Sequence, residues 1–335
     1  MYRIDTLFNK LSLGENKSLI KNKRVLVTGG AGFIGSHLVD KLMFKGNDVT
    51  VIDNLSSGRK EFIKHHLGKN NFKFVQIDLL EINRVKKIMK GYDIVFHLAA
   101  NPDARLGIIN TDLDLKQETI VTYNVLEAMK TNEIKKIVFS SSGTIYGETP
   151  IIPLKENYGP AFPISLYGAG KLASEGLISA FCGTFDFQAW IFRFANVVGS
   201  RATHGVIYDF INRLKKNQYE LEILGDGTQE KPYLHVMDCV DGLIFGLENS
   251  NDLINVFNLG SDSSTNVNKI AHLIIEEMGL KNVKCTFTGG DRGWKGDVPQ
   301  VRYNCEKINK LGWKPKYDSD GAVKKAIKEV LHDNQ

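Results

Sequence analysis

Tyr167 and Lys171 stand four residues apart in Tyr167-Gly168-Ala169-Gly170-Lys171, so a helix there carries a phenol and an ammonium on one face. A neighbouring cation favours the phenolate. The expectation is a tyrosine whose pKa falls from about 10 toward neutrality and which works as a general base or acid. Gly168 and Gly170 inside that helix cost on the order of 1 kcal/mol each relative to alanine, and close approach of a cofactor or substrate is the expected reason for them. Taken alone, the pair reads better as an exposed tyrosine beside a solvated lysine. Ile137-Val138-Phe139, however, runs into Ser140-Ser141-Ser142-Gly143-Thr144-Ile145-Tyr146-Gly147, which sets several hydroxyls at the end of a strand. Such hydroxyls bind a substrate alcohol and relay its proton to the tyrosine.

A candidate redox partner for that alcohol lies near the N-terminus. Val25-Leu26-Val27-Thr28-Gly29-Gly30-Ala31-Gly32-Phe33-Ile34-Gly35 reads as a short buried strand, a tight glycine turn and the start of a helix that continues to Leu42. Gly29, Gly32 and Gly35, three apart, let the backbone turn sharply, lie close to a pyrophosphate and pack the helix on its strand. The free N–H groups of that first turn, which holds Phe33 and Ile34, face the phosphates. A second strand over 48–52 ends in Asp53, near the ~20-residue spacing expected of an acid that hydrogen-bonds an adenosine ribose. A carboxylate there repels a 2′-phosphate and so favours NAD over NADP, with Arg59 placed to soften that preference.

These groups need a scaffold, and the remaining pattern supplies one. Strands are expected at 72–77, 94–98, 137–140 and 189–194, and helices at 82–90, 113–130, 166–181 and 205–216. Such alternation implies an α/β fold, a Rossmann-type doubly wound parallel sheet covered on both faces. Asp78-Leu79 follows the third strand and His97-Leu98-Ala99-Ala100 ends the fourth, both at the carboxyl edge where such sheets hold ligands. Small Ala99 and Ala100 let a cofactor lie against the backbone. His97, in an apolar run, reads as a satisfied core histidine rather than a base. Beyond residue 197 come longer loops, the turn Gly225-Asp226-Gly227, a strand near 257–259 and helices near 236–249, 267–279 and 319–331. The expected organisation is a short helical extension over 1–20, an NAD-binding domain over 21–196 to which segments near 232–260 return, and a smaller C-terminal substrate-binding lobe over 197–335.

Composition narrows the classes. The chain has 335 residues, 42% hydrophobic and 24% charged, with a net charge of +5, an ordinary soluble composition. That mild positive charge suits an anionic small substrate, while the scattered lysine pairs are no nucleic-acid arm. No apolar run approaches a membrane span, and no signal peptide is evident. The four cysteines, Cys182, Cys239, Cys285 and Cys305, form no Cys-x-x-Cys; the expectation is free thiols in a reducing cytoplasm and no metal site.

Together these motifs, with Arg193-Phe194-Ala195-Asn196, Gly225-Asp226-Gly227-Thr228 and Tyr233-Leu234-His235-Val236-Met237-Asp238, resemble the extended short-chain dehydrogenase/reductases, within them the NAD-dependent nucleotide-sugar epimerase/dehydratase group. The resemblance runs from about residue 22 to 331. It implies catalytic roles for Ser142, Thr144, Tyr167 and Lys171, with Lys171 also on the nicotinamide ribose. It implies cofactor contacts from Gly29, Gly32, Phe33, Ile34, Gly35, Asp53, Asn54, Gly58, Asp78, Leu79, Leu98, Ala99, Ala100, Tyr167 and Lys171. Ser142, Asn196, Lys231, Arg292 and Val301 are the implied nucleotide-sugar contacts. Lys231 stands where relatives carry an arginine, and keeps the charge without the bidentate geometry. A cytoplasmic homodimer joined through helices 113–130 and 166–181, acting in polysaccharide biosynthesis, is also implied.

Reaction class is expected to follow from Gly143-Thr144. Relatives that are sugar 4,6-dehydratases place an Asp-Glu pair there, and UDP-glucuronate decarboxylases a glutamate; this chain has neither acid. The expectation is therefore NAD-dependent 4-epimerisation of a nucleotide sugar, UDP most of all, through a 4-keto intermediate. Val301, where some UDP-galactose 4-epimerases carry a tyrosine, is expected to leave room for an N-acetyl group. The competing readings are a dehydratase, decarboxylase or reductase of the same group, and a non-catalytic NAD-binding protein.

Overall fold

A strand buried on both faces requires a near-continuous apolar run, and such runs form β1 (Arg24–Thr28), β2 (Asp48–Asp53), β4 (Ile94–His97), β5 (Lys136–Ser142) and β6 (Gln188–Phe194), with β3 (Phe72–Gln76) a partly exposed edge strand, in the computed structural model, which describes residues 19–333. With the strand Ile254–Leu259 they make a seven-stranded sheet, in the order β3-β2-β1-β4-β5-β6 and then Ile254–Leu259. All neighbouring pairs are parallel. Alternate residues feed opposite faces: Val25, Val27, Phe96 and Trp190 pack on one side, and Leu26, Val95, Ile137 and Ile191 on the other. Each such side chain, fully buried, contributes about 1.5–3 kcal/mol. The strand order reverses between β1 and β4, and the carboxyl ends part there into a crevice.

The extension expected over 1–20 falls outside the described residues except at Leu19 and Ile20, and Ile20 is fully buried in the core. Two other expectations change. The helix expected over 113–130 is a π-helical turn, Leu115–Ile120, that runs on into an α-helix, Val121–Thr131. The strand expected over 137–140 extends to Ser142, because Ser140, Ser141 and Ser142 continue the ladder opposite Phe192, Arg193 and Phe194.

The smaller lobe packs the helices Val206–Lys216, Val267–Glu277 and Ser319–Asp333 around Ile211, Leu214, Ile270, Ile274 and Val323. Residues 199–205, which border the crevice, are tied down from two sides. Asp40 Oδ1 accepts Nε2–H groups from His65 and His66, each at 2.7 Å, and its Oδ2 pairs with Arg201 at 2.8 Å. Asp40, His65 and His66 lie close enough to bracket a cation. Lys69, however, donates to His66 Nδ1 at 3.1 Å, which leaves the ring proton on Nε2, so the cluster is a hydrogen-bonded tie rather than a ligand set.

From the other side, Glu329 Oε2 accepts His235 Nε2 at 2.9 Å and the Ser200 N–H at 3.0 Å, while Oε1 pairs with Lys325 at 2.7 Å. Burial works to raise the Glu329 pKa, but the His235 and Lys325 hydrogen bonds outweigh it and hold the carboxyl at about 2. A depressed carboxyl contributes stability that is present above its ordinary 4.5 and lost as pH falls through about 2. Glu329→Gln should therefore lower stability at neutral pH and flatten its loss in that acid window, as read by urea unfolding at a series of pH values.

Candidate active site

A cavity of about 540 Å³ opens along the carboxyl edge of the sheet, between it and the smaller lobe, within the size range of small-molecule sites. Its floor on one side is the glycine turn. Gly29 has φ +71°, and a Cβ there would lie 2.6 Å from the Ala99 nitrogen, so only glycine lets the turns after β1 and β4 touch. A Cβ on Gly35 would meet the Gly29 carbonyl oxygen at 2.1 Å. The helix Phe33–Phe44 therefore starts hard against its strand, with its first N–H groups open to the cavity. That bare, positive helix end fits a pyrophosphate.

Asp53, at the end of β2, accepts N–H groups from Ala31 at 3.0 Å and Leu55 at 2.8 Å, and burial raises its pKa. Gly29, Gly32, Phe33, Ile34, Gly35, Asp53, Asn54, Leu79, Leu98, Ala99 and Ala100 all line the cavity. Two residues of the expected cofactor set stand behind the lining. A Cβ on Gly58 would sit 2.9 Å from Asp53 Oδ1, and Asp78 Oδ2 accepts from the Asn54 amide at 3.0 Å.

Opposite the glycine turn, β5 and the helix Leu166–Phe185 bring Ser142, Thr144, Tyr167 and Lys171 onto one wall. Ser165 caps that helix by accepting from the Gly168 N–H at 3.1 Å. The Ser142 Oγ accepts from the Thr144 N–H at 3.2 Å and hydroxyl at 3.0 Å, and hydrogen-bonds Tyr167. A hydroxyl chain thus runs Thr144, Ser142, Tyr167. The fully buried Lys171 donates to the Ser140 carbonyl at 2.9 Å, lies 5.7 Å from the Tyr167 ring centroid, and pairs at 2.8 Å with buried Glu118.

Two sequence expectations about this wall are corrected. The Tyr167 pKa is raised, not lowered: burial pushes it up, the Glu118 charge adds to that, and the Ser142 hydrogen bond offsets part of it. Lys171 does not tip the balance because Glu118 neutralises it. The helix glycines, in turn, make room for protein rather than ligand, since a Cβ on Gly168 would lie 2.7 Å from the Thr144 carbonyl oxygen and one on Gly170 2.8 Å from Glu118 Cβ.

The strand end carrying the hydroxyls is riveted from below. Arg193 grips Glu175 through Nε at 3.0 Å and a second nitrogen at 2.7 Å, and donates to the Tyr146 hydroxyl at 2.9 Å; Ser141 bonds the same Glu175. His97 is fully buried between Thr28 Oγ1 at 2.7 Å and Thr122 Oγ1 at 3.0 Å. Burial, with the nearby Lys171, lowers its pKa to about 3, so it is neutral.

Among the expected substrate contacts, Ser142, Asn196 and Lys231 line the cavity, the last ion-paired with Asp297. Two do not. Arg292 turns outward to Glu148 at 3.2 Å and Asp291 at 3.0 Å. Val301 is packed into the core cluster, outside the cavity lining. Sequence reasoning missed three basic side chains in the lining, Arg105, His204 and Arg213. Arg105 is held by Asp103 at 2.7 Å and reaches Asp209 of the lobe at 3.4 Å, partners that no local motif announces.

Against known proteins, the NAD dependent epimerase/dehydratase family matches residues 25–260. UDP-glucuronic acid decarboxylase 1 of Xenopus tropicalis is 31% identical over 92% of this chain and 73% of that protein. A crystal structure of UDP-galactose 4-epimerase superimposes with a TM-score of 0.84 at 37% identity, over 93% of this chain and 100% of that one. The UDP-N-acetylglucosamine 4-epimerase of Methanobrevibacter ruminantium M1, solved with UDP-N-acetylmuramic acid, gives a TM-score of 0.82 at 30% identity over 93% of this chain and 99% of that one. The glycine turn, the tyrosine wall and these matches agree: the chain belongs to the NAD-dependent epimerase/dehydratase family of extended short-chain dehydrogenase/reductases, with NAD as its cofactor.

Proposed function

We propose that this protein interconverts the C4 epimers of a UDP-linked sugar, UDP-N-acetylglucosamine and UDP-N-acetylgalactosamine, UDP-glucose and UDP-galactose, or both pairs, through a transient 4-keto sugar. The observation that carries the reading is the content of the wall beside Tyr167. It offers hydroxyls and a phenol, with Gly143-Thr144 where an elimination enzyme would hold two acids and a decarboxylation enzyme a glutamate. The space above that glycine is filled: a Cβ on Gly143 would fall 2.0 Å from the buried Tyr303 hydroxyl. A carboxylate therefore has no room at residue 143, which supports redox chemistry at one carbon over elimination.

NAD, when bound, supplies a reversible hydride acceptor, and the glycine turn, Asp53, Asn54 and Lys171 are the residues that would hold it. Tyr167 takes the proton of the sugar 4-hydroxyl, directly or through Ser142, and returns it after the keto sugar has turned over. Thr144 orients Ser142 for that exchange. Lys231 and Arg213, facing the cavity, suit the diphosphate, and likeness to the Methanobrevibacter enzyme supports an N-acetylated sugar as one substrate.

Exposed Leu115, Ile120 and Tyr123, on the turn and helix behind the tyrosine wall, with Leu166 on the adjoining helix, support a homodimer through this face. The test of the reaction is incubation of purified protein, without added cofactor, with UDP-N-acetylglucosamine, UDP-glucose, GDP-mannose and UDP-glucuronate separately, with NMR of the products. A C4 epimer from a UDP-sugar is the expected result. Release of CO₂, or a stable 4-keto-6-deoxy sugar, would overturn it, and turnover only with supplied NAD(P)(H) would make the protein a dehydrogenase or reductase.

A further inference from the structure

Glu118 is the buried charge that the tyrosine and serine motifs leave out of account. It sits in the π-helical turn Leu115–Ile120, an element found mostly as short distortions at functional sites. The distortion turns its side chain inward, where Oε2 lies 2.8 Å from the Lys171 ammonium and Oε1 accepts the Asn101 N–H at 3.0 Å. Its backbone carbonyl takes hydroxyl hydrogen bonds from Thr122 at 2.5 Å and Ser174 at 3.0 Å. Space for it exists because residue 170 is glycine, and any Cβ there would collide with Glu118 Cβ at 2.8 Å. The acid is thus built in, with its own glycine notch, against the lysine that faces the tyrosine.

We propose that Glu118 is a positioning residue that sets the proton affinity of Tyr167, by neutralising Lys171 when ionised and releasing the full lysine charge toward the phenol when protonated. The proposal rests on the reading of Tyr167 as the acid/base. An ammonium compensated at 2.8 Å presents the phenol with little net field, whereas an uncompensated one at the same place stabilises the phenolate.

Groups from every packed element face this site. Lys171 and Tyr167 come from the helix Leu166–Phe185, and neutral His97 from the end of β4. Asp114, whose Oδ1 is held by the Asn101 side chain at 2.8 Å, comes from the turn preceding Glu118. Burial raises the Glu118 carboxyl, against the opposing pull of Lys171, to about 7. It therefore titrates near neutral pH, and its raised pKa contributes stability below its ordinary 4.5 that is lost as pH rises through about 7.

The test reads tyrosine ionisation directly. Near-ultraviolet tyrosinate absorbance is titrated in the NAD-loaded parent and in Glu118→Gln, each minus its Tyr167→Phe counterpart, alongside the pH profile of kcat/KM. Removing the negative charge should move Tyr167 ionisation, and the acid limb of the profile, to lower pH by about 1–2 units. Glu118→Asn, shorter and equally neutral, must shift it in the same direction and serves if the glutamine variant does not fold. Glu118→Asp, which keeps the charge, must leave it near the parent value. Tyr167 ionisation unmoved in the neutral variants would overturn the proposal. Should it move while Tyr167→Phe still turns over substrate, the acid/base reading fails and the Glu118 effect stands.

Discussion

Tyr167→Phe should lower kcat by about 10²–10⁴-fold, the usual worth of a positioned proton-transfer group, with little change in the folding midpoint. Phenylalanine keeps the ring that packs beside Lys171 and removes only the hydroxyl. That hydroxyl is where the Ser142 chain ends, so its loss strands the substrate proton without emptying the pocket. KM should change far less than kcat, because the diphosphate end of the substrate meets other residues. Steady-state kinetics by NMR or coupled assay checks this. A variant retaining more than about a tenth of the parent kcat would remove Tyr167 from the reaction, since no accepted proton-transfer role is worth so little.

Gly35→Ala should abolish NAD retention, with affinity falling by roughly 100-fold or more, because overpacking of about 3 kcal/mol must be relieved at the binding surface itself. The added methyl would meet Gly29 O at 2.1 Å and the Gly29 and Gly30 backbone at 2.9 Å, atoms that cannot swing aside as a side-chain tip can. Only a shift of the helix start relieves the clash, and the helix start is what presents N–H groups to the pyrophosphate. Gly32→Ala makes the control, since its methyl would meet Gly29 O at 3.2 Å and asks for a few tenths of an ångström. Isothermal titration with NAD, with thermal unfolding, separates lost binding from lost fold; equal affinity in the two variants would contradict the close-approach argument.

Much of the architecture was legible because its causes are local. Apolar runs such as Val25-Leu26-Val27 announce doubly buried strands, and glycines at fixed spacing announce a turn that no other residue permits. Tyr167 with Lys171, and Ser142 with Thr144, are neighbours along the chain, so one helix turn and one strand end bring each pair together. What was illegible joins distant segments. Glu118 reads as an ordinary polar position of an amphipathic helix until folding lays it on Lys171, 53 residues further along.

Burial, with that contact added, reverses the expected shift of the tyrosine, and the contact explains Gly170 as packing space. Arg292 carries the charge a diphosphate wants, yet Glu148 claims it from across the fold. Val301 shares a short segment with Tyr303, and only the direction of the chain decides that the tyrosine, not the valine, lies against the catalytic wall at Gly143. Side-chain direction in irregular segments is set by tertiary packing, which periodicity does not record.

The contact of Tyr303 with Gly143 also constrains how this chain can diverge. On the proposed reading, elimination chemistry needs acids at both 143 and 144, and while Tyr303 remains, the first of them must displace a buried ring. Shrinking Tyr303 first opens the space at a cost of about 3–5 kcal/mol for a large aromatic cut to alanine, and loosens its packing on Tyr146, 6.1 Å away between ring centroids. Either order passes through a damaged single variant, so the two positions are epistatic. A lineage carrying this pair is held to its reaction by a valley in its fitness landscape, and directed evolution toward a dehydratase should start from a library that varies residues 143, 144 and 303 together.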